Sequence, residues 1–477
     1  MEGHLSAFKA HVLLVNPWIV DFAAYDFWIK PLGLLTIANV LRENNYNVNY
    51  LDCLDRHHNL LQNFNTTSKI QTKKDGTGHF YKEHIKKPDL LKWVPRYYSR
   101  YGLPFSIVRN YFKKQTSPDI ILVTSSMTYW YPGVIQIIDL LKDIFPHIPV
   151  VLGGIYATLC YNHAKRFSGA DHVVTGEAEV ASLKLVDQLT GNNSSYEKYR
   201  TLDDYPVPAY DLYTSLDSAA ILSSRGCPYN CPVCASGTLS GKYRRRSIQK
   251  IIKEITNLHE NFKINEFAFY DDSLLYKKNE HIIPLLKKII DNELSIHFHT
   301  PNGIQPSEVD DTVAYLMKTA GFRKINLSYE TVNTQRQREF CSKVSDNDLR
   351  SAVINLVNNG FEYKDLSAYV LMGLPDQEIR EVIDSILFVY SLGIKVSLAS
   401  FSPIPGTRYW EESVKAGQLS DTTDPLLTNN SIFPLYKNKY DIFISLRTLT
   451  NTGNQLISES KNPLNETSFL RQLKNLK

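Results

Sequence analysis

The chain is poor in the features that mark secreted, membrane-spanning or nucleic-acid-coating proteins. It has six cysteines in 477 residues, too few for a disulfide framework at this length. No apolar run approaches the roughly 20 residues of a membrane-spanning helix. The amino-terminal MEGHLSAFKAHVLLVNPW carries an apolar stretch too short for a signal-peptide core, interrupted by Asn16 and Pro17. A soluble, cytoplasmic protein is therefore expected. A net charge of only +4 requires neither nucleic acid nor an anionic membrane as partner. There is no internal repeat and no low-complexity tract, and no G-x-G-x-x-G fingerprint follows the first strand, which disfavours a dinucleotide.

What is present is an ordinary globular composition, 43% hydrophobic and 21% charged, in a chain longer than one core usually organises. Two or more domains are expected. Apolar strand-like runs alternate with helix-period segments, the pattern of α/β folds with parallel sheets. In the first half the strands are expected at 11–15, 47–51, 119–124, 150–153 and 172–175, with helices such as 34–44 and 133–144 between them. Residues 56–115, rich in aromatic and basic side chains (WVPRYYSRYGLPF), break this rhythm and read as an insertion over one end of the sheet. Their interleaved aromatics and arginines are weak grounds for a nucleic-acid surface, and a cover over a bound cofactor is the better reading.

The turn-rich segment 196–218, with DDYPVPAYD at its centre, reads as a linker. Beyond it six strands are expected at 219–224, 266–270, 296–300, 324–329, 368–372 and 396–400, with helices between. Six strand–helix units suggest a partial parallel barrel over 219–410, with its site at the carboxyl ends of the strands. A mainly helical extension, 411–477, follows.

Three of the cysteines fall within eight residues. SSRGCPYNCPVCAS sets Cys227, Cys231 and Cys234 in a C-x3-C-x2-C arrangement directly after a strand. Three thiolates on a four-iron cluster leave one iron without a protein ligand, and an open position is where chemistry occurs. A zinc site would need a fourth ligand nearby, and none closely follows Cys234. Cys53, Cys160 and Cys341 are scattered and read as ordinary residues.

This motif resembles that of the radical S-adenosylmethionine superfamily, with Val233 where an aromatic residue usually stands. The resemblance covers roughly 219–408. It implies a 4Fe–4S cluster on Cys227, Cys231 and Cys234, whose free iron binds S-adenosylmethionine for reductive cleavage to a 5'-deoxyadenosyl radical. It further implies cofactor contacts from Asp271 and Asp272 (FAFYDDSLL), from Glu330 (INLSYETVN) toward the ribose, and from Gly373 and Pro375 (YVLMGLPDQE) near the adenine. Helix capping by Asp272 and a plain tight turn at Gly373 are the structural alternatives. FSPIPGT, 401–407, closes the sixth strand as such enzymes often do. His297 and His299 share one face of the third strand. They are candidates for catalysis or for a satisfied polar interior. Arg244, Arg245 and Arg246 read as a solvated face or an anion site.

In the first half the informative loops are TSSMTYWYPG, GGIYATL and TGEAE. Together with KPLGLLTIANVLRENNYNV they resemble the cobalamin-binding, Rossmann-like domain that precedes the radical domain in one large subgroup of the superfamily. This doubly wound domain would span 10–195. Ser125, Ser126, Thr128, Gly153, Gly154, Gly176 and Glu177 are the candidate cobalamin contacts. The D-x-H-x-x-G loop of mutase-type cobalamin proteins is not matched by LDCLDRHHNL, so no protein histidine is expected on cobalt, and His57 and His58 read as loop residues. The resemblance implies cobalamin-dependent methyl transfer to an unactivated carbon of a small-molecule or peptide substrate, with an electron donor such as flavodoxin or ferredoxin. Radical rearrangement or cyclisation without methyl transfer is an alternative, as is a non-catalytic iron–sulfur or cobalamin sensor.

Overall fold

A computed structural model describes residues 8–61, 72–462 and 465–475. The chain divides into two compact units, one comprising residues up to Asp217 together with Asp424–Leu427, the other Ser218–Thr423 and Thr428 onward.

The first unit is built on five parallel strands: β1 (His11–Asn16), β2 (Asn47–Asp52), β3 (Ile120–Val123), β4 (Val150–Leu152) and β5 (His172–Val173). Their order is β2-β1-β3-β4-β5, a doubly wound arrangement whose switch point lies between β1 and β3. Strands buried on both faces should read as continuous apolar runs. β3 and β4 do so, with every residue buried. The helices start slightly earlier than their periodicity predicts, at Leu32–Glu43 and Tyr131–Ile144. Pro132 stands in the first turn of the latter, where a missing N–H costs nothing.

The insertion contributes a small antiparallel sheet in which Ser99–Tyr101 pairs with Ile19–Asp21 on one side and Lys82–His84 on the other. It begins immediately beyond the carboxyl end of β1. Residues 62–71 of the insertion lie outside the described residues. Within the rest, buried Arg56 is held by Asp26 (2.8 Å) and the Gly76 carbonyl (2.7 Å), so its charge is paired and hydrogen-bonded as a buried ion requires.

The segment read as a linker is packed onto the sheet of this unit. Tyr199 and Ala209 belong to its core, the Ala209 amide donates to the Leu35 carbonyl (3.1 Å), and the Tyr213 hydroxyl donates to buried Asp52 (2.6 Å). Its prolines stop regular structure, but its aromatics supply the apolar area that fixes it. Asp424 also belongs here, accepting from the Tyr131 hydroxyl (3.1 Å).

The second unit is an open sheet of six parallel strands laid side by side in chain order: β6 (Ser218–Ile221), β7 (Glu266–Phe269), β8 (His297–His299), β9 (Phe322–Glu330), β10 (Leu366–Met372) and β11 (Lys395–Ser400). Phe267, Phe269, Phe298 and Phe322 form an aromatic layer on one face of β7–β9, with neighbouring ring centroids 5.2–6.0 Å apart. The carboxyl-terminal part is helical, with Tyr440–Ser458 packed near β11 through Asn454, whose side chain bonds both the amide and the carbonyl of Val396 (2.9 and 2.8 Å). Among the described residues no helix is long and apolar enough to cross a membrane.

Phe298 is fully buried at the centre of its layer. Phe298→Ala is expected to destabilise the protein by about 3–5 kcal/mol, read as a lowered urea midpoint for the transition of this unit.

Candidate active site

Parallel pairing brings the ends of β6–β10 to one rim, and the chemistry-bearing loops follow them. After β6, Ser224–Arg225 pairs antiparallel with Arg244–Arg245, and this ribbon brackets the cysteine loop. Gly226 at the start of the loop has φ +83°, and a Cβ there would meet the carbonyls of Gly241 and Lys242 at 2.8 Å, so only glycine fits. Arg244 and Arg245 are exposed, whereas Arg246 reaches inward to buried Glu254 (2.6 Å). The three arginines are thus neither a single solvated face nor a single anion site.

Cys227, Cys231 and Cys234 all line one cavity of about 360 Å³. Its other walls include Tyr229, Asp272, Gly303, Gln305, Glu330 and Lys343. Burial pushes the Cys231 thiol up to about 12 and raises that of Cys227 as well, so iron must displace protons to bind. Cys234 accepts from the Ser236 amide (3.4 Å), and the Ser236 hydroxyl donates to Asp272 (3.0 Å). Among the described residues no three His, Cys, Asp or Glu side chains close around a single metal point. A 4Fe–4S cluster asks for something else, one thiolate for each of three separate irons around a shared space, and three cysteines lining one cavity fit that requirement.

Glu330, the last residue of β9, adopts φ +70° at a register shift against β10. A left-handed glutamate is strained, and such strain concentrates at functional sites. One carboxylate oxygen pairs with Lys343 (2.8 Å), and Oε2 is buried without a hydrogen-bond partner. An orphaned acceptor in a cavity wall suits a ligand that brings a donor. For Lys343, burial opposes the charge, but the Glu330 carboxylate beside it outweighs burial and raises the ammonium pKa above its ordinary value.

The two adjacent aspartates part company. Asp272 lines the cavity. Asp271 is turned inward, accepting from the Ser223 hydroxyl (2.6 Å) and amide (3.1 Å) and from the Ser224 hydroxyl (2.5 Å), so it fixes the chain where the cysteine loop departs. Burial, aided by Arg245, lowers His281 to about 4. Its neutral ring sits 2.9 Å from the Ser223 hydroxyl.

His297 and His299 do share a face, and there both meet Glu266, the first residue of β7, at 3.1 and 2.6 Å. His297 also contacts Arg323. Neither histidine lines the cysteine cavity; both rings turn instead to Glu266. Gly373 has φ +84°, and its amide donates to Gln377 (2.8 Å), closing the turn. Leu371 of the same segment lines the cysteine cavity, whereas Pro375 lines a separate cavity of about 540 Å³ with Arg336 and Tyr409.

In the first unit the carboxyl ends of β3–β5 are bonded into a platform. Ser125 donates to the Gly153 carbonyl (2.6 Å) and accepts from the Ala157 amide (3.3 Å). Thr158 donates to the Gly154 carbonyl (2.8 Å) and accepts from the Gly176 amide (2.9 Å). Ser125 and Thr128 are buried, Ser126 is half-buried, and Gly176 and Glu177 are exposed. At Gly154, φ is +94° and a Cβ would lie 2.3 Å from the Ser125 carbonyl oxygen, while nothing lies within 4 Å of a Cβ at Gly176. Met127, two residues beyond Ser125, and Ile155, next in sequence to Gly154, are exposed. A backbone platform with apolar side chains at its rim fits a broad, flat cofactor such as a corrin. His57 pairs with Asp217 (2.6 Å), and His58 accepts from the Leu60 amide (3.2 Å).

The sequence profile of the Radical SAM superfamily matches residues 221–389, and that of the B12 binding domain matches 108–186. The chain thus carries a radical S-adenosylmethionine domain with a B12-binding domain ahead of it. An uncharacterized methyltransferase of Pyrococcus horikoshii is 27% identical over 342 residues, covering 65% of this chain and 72% of the relative. Cytidylyl-2-hydroxyethylphosphonate methyltransferase of Streptomyces wedmorensis is 22% identical over 474 residues, covering 85% and 82%. The structure of the radical S-adenosylmethionine methyltransferase TsrM from Kitasatospora setae, with cobalamin and a [4Fe-4S] cluster bound, aligns with TM-score 0.61 at 16% identity over 88% of this chain and 82% of that one. It shares the fold.

Lys343, Gln305 and Tyr369 line the cavity without having been marked by any motif. The one sequence cue to Lys343 is its place thirteen residues beyond Glu330 on a loop returning from the same strand.

A Cβ at Gly303 would stand 2.6 Å from the Ser328 hydroxyl and 2.9 Å from the Tyr369 ring, both cavity walls. Gly303→Val is expected to weaken S-adenosylmethionine binding roughly tenfold or more, about 1.4 kcal/mol, in equilibrium dialysis of the iron-loaded protein, with its circular dichroism spectrum unchanged.

Proposed function

We propose that this chain is a cobalamin-dependent radical S-adenosylmethionine methyltransferase acting on an unactivated carbon of a small-molecule or peptide substrate. The observation that carries the reading is the single cavity combining three cysteines with an orphaned glutamate oxygen, in a chain that also has a B12-binding domain. Methyl transfer is supported by the relatives named above.

In this reading Cys227, Cys231 and Cys234 each hold one iron of a 4Fe–4S cluster and leave the fourth open. Asp272 accepts from the amino group of S-adenosylmethionine, and Glu330 Oε2 accepts from a ribose hydroxyl. The Gly373–Pro375 turn sets Leu371 against the adenine. Asp271, with Ser223, Ser224 and His281, keeps the cysteine loop in place. Ser126, Gly153, Gly154 and Gly176 cradle cobalamin, while Ser125 and Thr158 brace the loops that form the cradle. The family resemblance implies no protein histidine on cobalt, in keeping with His57 pairing with Asp217 and His58 accepting from the Leu60 amide. With these cofactors bound, reductive cleavage of S-adenosylmethionine supplies a radical that removes a hydrogen atom from the substrate, and cobalamin supplies the methyl group. The protein orients the reactants and excludes water. A flavodoxin or ferredoxin delivers the electron, in a reducing cytoplasm that suits exposed thiols such as Cys234 and Cys341.

The test is anaerobic reconstitution with iron and sulfide, reduction with dithionite in the presence of S-adenosylmethionine, and chromatography for 5'-deoxyadenosine. The native chain is expected to form it and Cys231→Ala to lose it while retaining cobalamin. Gly154→Val is expected to show the converse defect, with cobalamin lost and the cluster spectrum intact. A fully loaded native cluster that cleaves nothing would contradict the reading and favour a sensor.

A further inference from the structure

We propose that Lys343 sets the reduction potential of the cluster, its fixed positive charge stabilising the reduced form. The inference rests on the three-cysteine reading above.

Lys343 is the one basic side chain among the described residues lining the cysteine cavity, against two acidic ones, Asp272 and Glu330. It is 15% exposed, and its Nζ lies 2.8 Å from Glu330 Oε1. The backbone is shaped to put it there. Cys341 and Ser342 both have positive φ, 65° and 47°, a conformation few non-glycine residues adopt. Two in succession turn the chain back on itself. The Lys343 carbonyl is then pinned by the Gln305 amide side chain and the Ser307 hydroxyl, each at 3.1 Å. On one side of this loop the Phe340 carbonyl lies 3.9 Å from the Cys231 sulfur. On the other, the Ser345–Asp348 capping box starts the helix Asp346–Asn358. The loop is therefore held at both ends, and its lysine is held at its carbonyl and its ammonium.

The charge balance gives the pinned ammonium its consequence. Asp272, Glu330 and Lys343 together contribute one net negative charge, and three thiolates add three more around the iron–sulfur core. Reduction places a further electron there, with no bond made or broken in the protein. In a partly desolvated site a nearby fixed cation offsets that added charge far better than water-screened charge could, and net charge is among the determinants of cluster potential. Removing the lysine charge also leaves Glu330 uncompensated, which acts in the same direction. Glu330→Gln removes a negative charge and acts in the opposite one.

The test is an electron-paramagnetic-resonance redox titration, with dithionite and mediators, of the full chain reconstituted anaerobically without S-adenosylmethionine. Native protein, Lys343→Met, Lys343→Arg and Glu330→Gln are compared at equal iron content. At a fixed potential Lys343→Met is expected to lower the ratio of reduced to oxidised cluster at least tenfold, about 59 mV for one electron. Lys343→Arg, which keeps the charge, should stay near the native value, and Glu330→Gln should shift the ratio upward. An unchanged potential in Lys343→Met, even with weakened S-adenosylmethionine binding, would overturn the inference and make Lys343 a ligand contact only. If Lys343→Met fails to load, the sign of the Glu330→Gln shift decides, and no shift or a downward one sinks the proposal. A native chain that assembles no four-iron cluster would instead contradict the cysteine reading itself.

Discussion

Parallel strand pairing is the constraint on which the site depends. In a parallel sheet every strand delivers its carboxyl end to the same rim, so residues distant in sequence meet there without any contact of their own to draw them together. Cys227 follows β6, Asp272 follows β7, Gly303 follows β8, Glu330 ends β9 and Leu371 lies near the end of β10, and all five line one cavity. The aromatic layer of Phe267, Phe269, Phe298 and Phe322 helps to hold β7, β8 and β9 in register. A slip of one residue would exchange those rings for the polar face that carries Glu266, His297 and His299. The same rule operates in the first unit, where the ends of β3, β4 and β5 present glycine and hydroxyl side chains from three separate loops.

The second feature is how the second unit handles charge beneath its rim. Asp271 is buried with four hydrogen bonds counted on its side chain and main chain from Ser223, Ser224 and Asn302, so its cost is met locally and it serves the loop rather than a ligand. Glu330 is treated differently. It is strained, half-satisfied by Lys343 and left with one oxygen unpartnered. The contrast separates a carboxylate that holds the fold from one poised for a ligand.

Much of this was legible from residue order. The cysteine spacing directly after a strand placed the metal loop, and apolar runs with turn signals placed all eleven strands of the two main sheets. Glu330 was readable through the family resemblance of INLSYETVN, at the end of a strand. Other features turn on geometry that residue order does not carry. Neighbouring Asp271 and Asp272 are chemically alike, and only the serines above β6 decide which one turns inward. Alternation set His297 and His299 on one face, yet a shared face does not say which neighbour the rings meet, and both turn to Glu266. Lys343 lies on a loop whose two left-handed residues are neither glycine nor asparagine, so no turn signature announced it. Segment 196–218 has the composition of a linker, and its tyrosines pack it onto the first unit all the same.

The central claim is that three cysteines hold a four-iron cluster with one iron left for S-adenosylmethionine. Mössbauer spectroscopy of the full chain loaded anaerobically with iron-57 tests it most directly, recorded before and after S-adenosylmethionine is added. The account predicts a 4Fe–4S spectrum in which one iron site of the four changes on addition and the other three do not. A spectrum unaffected by S-adenosylmethionine, or a chain that takes up a single mononuclear metal, would contradict it.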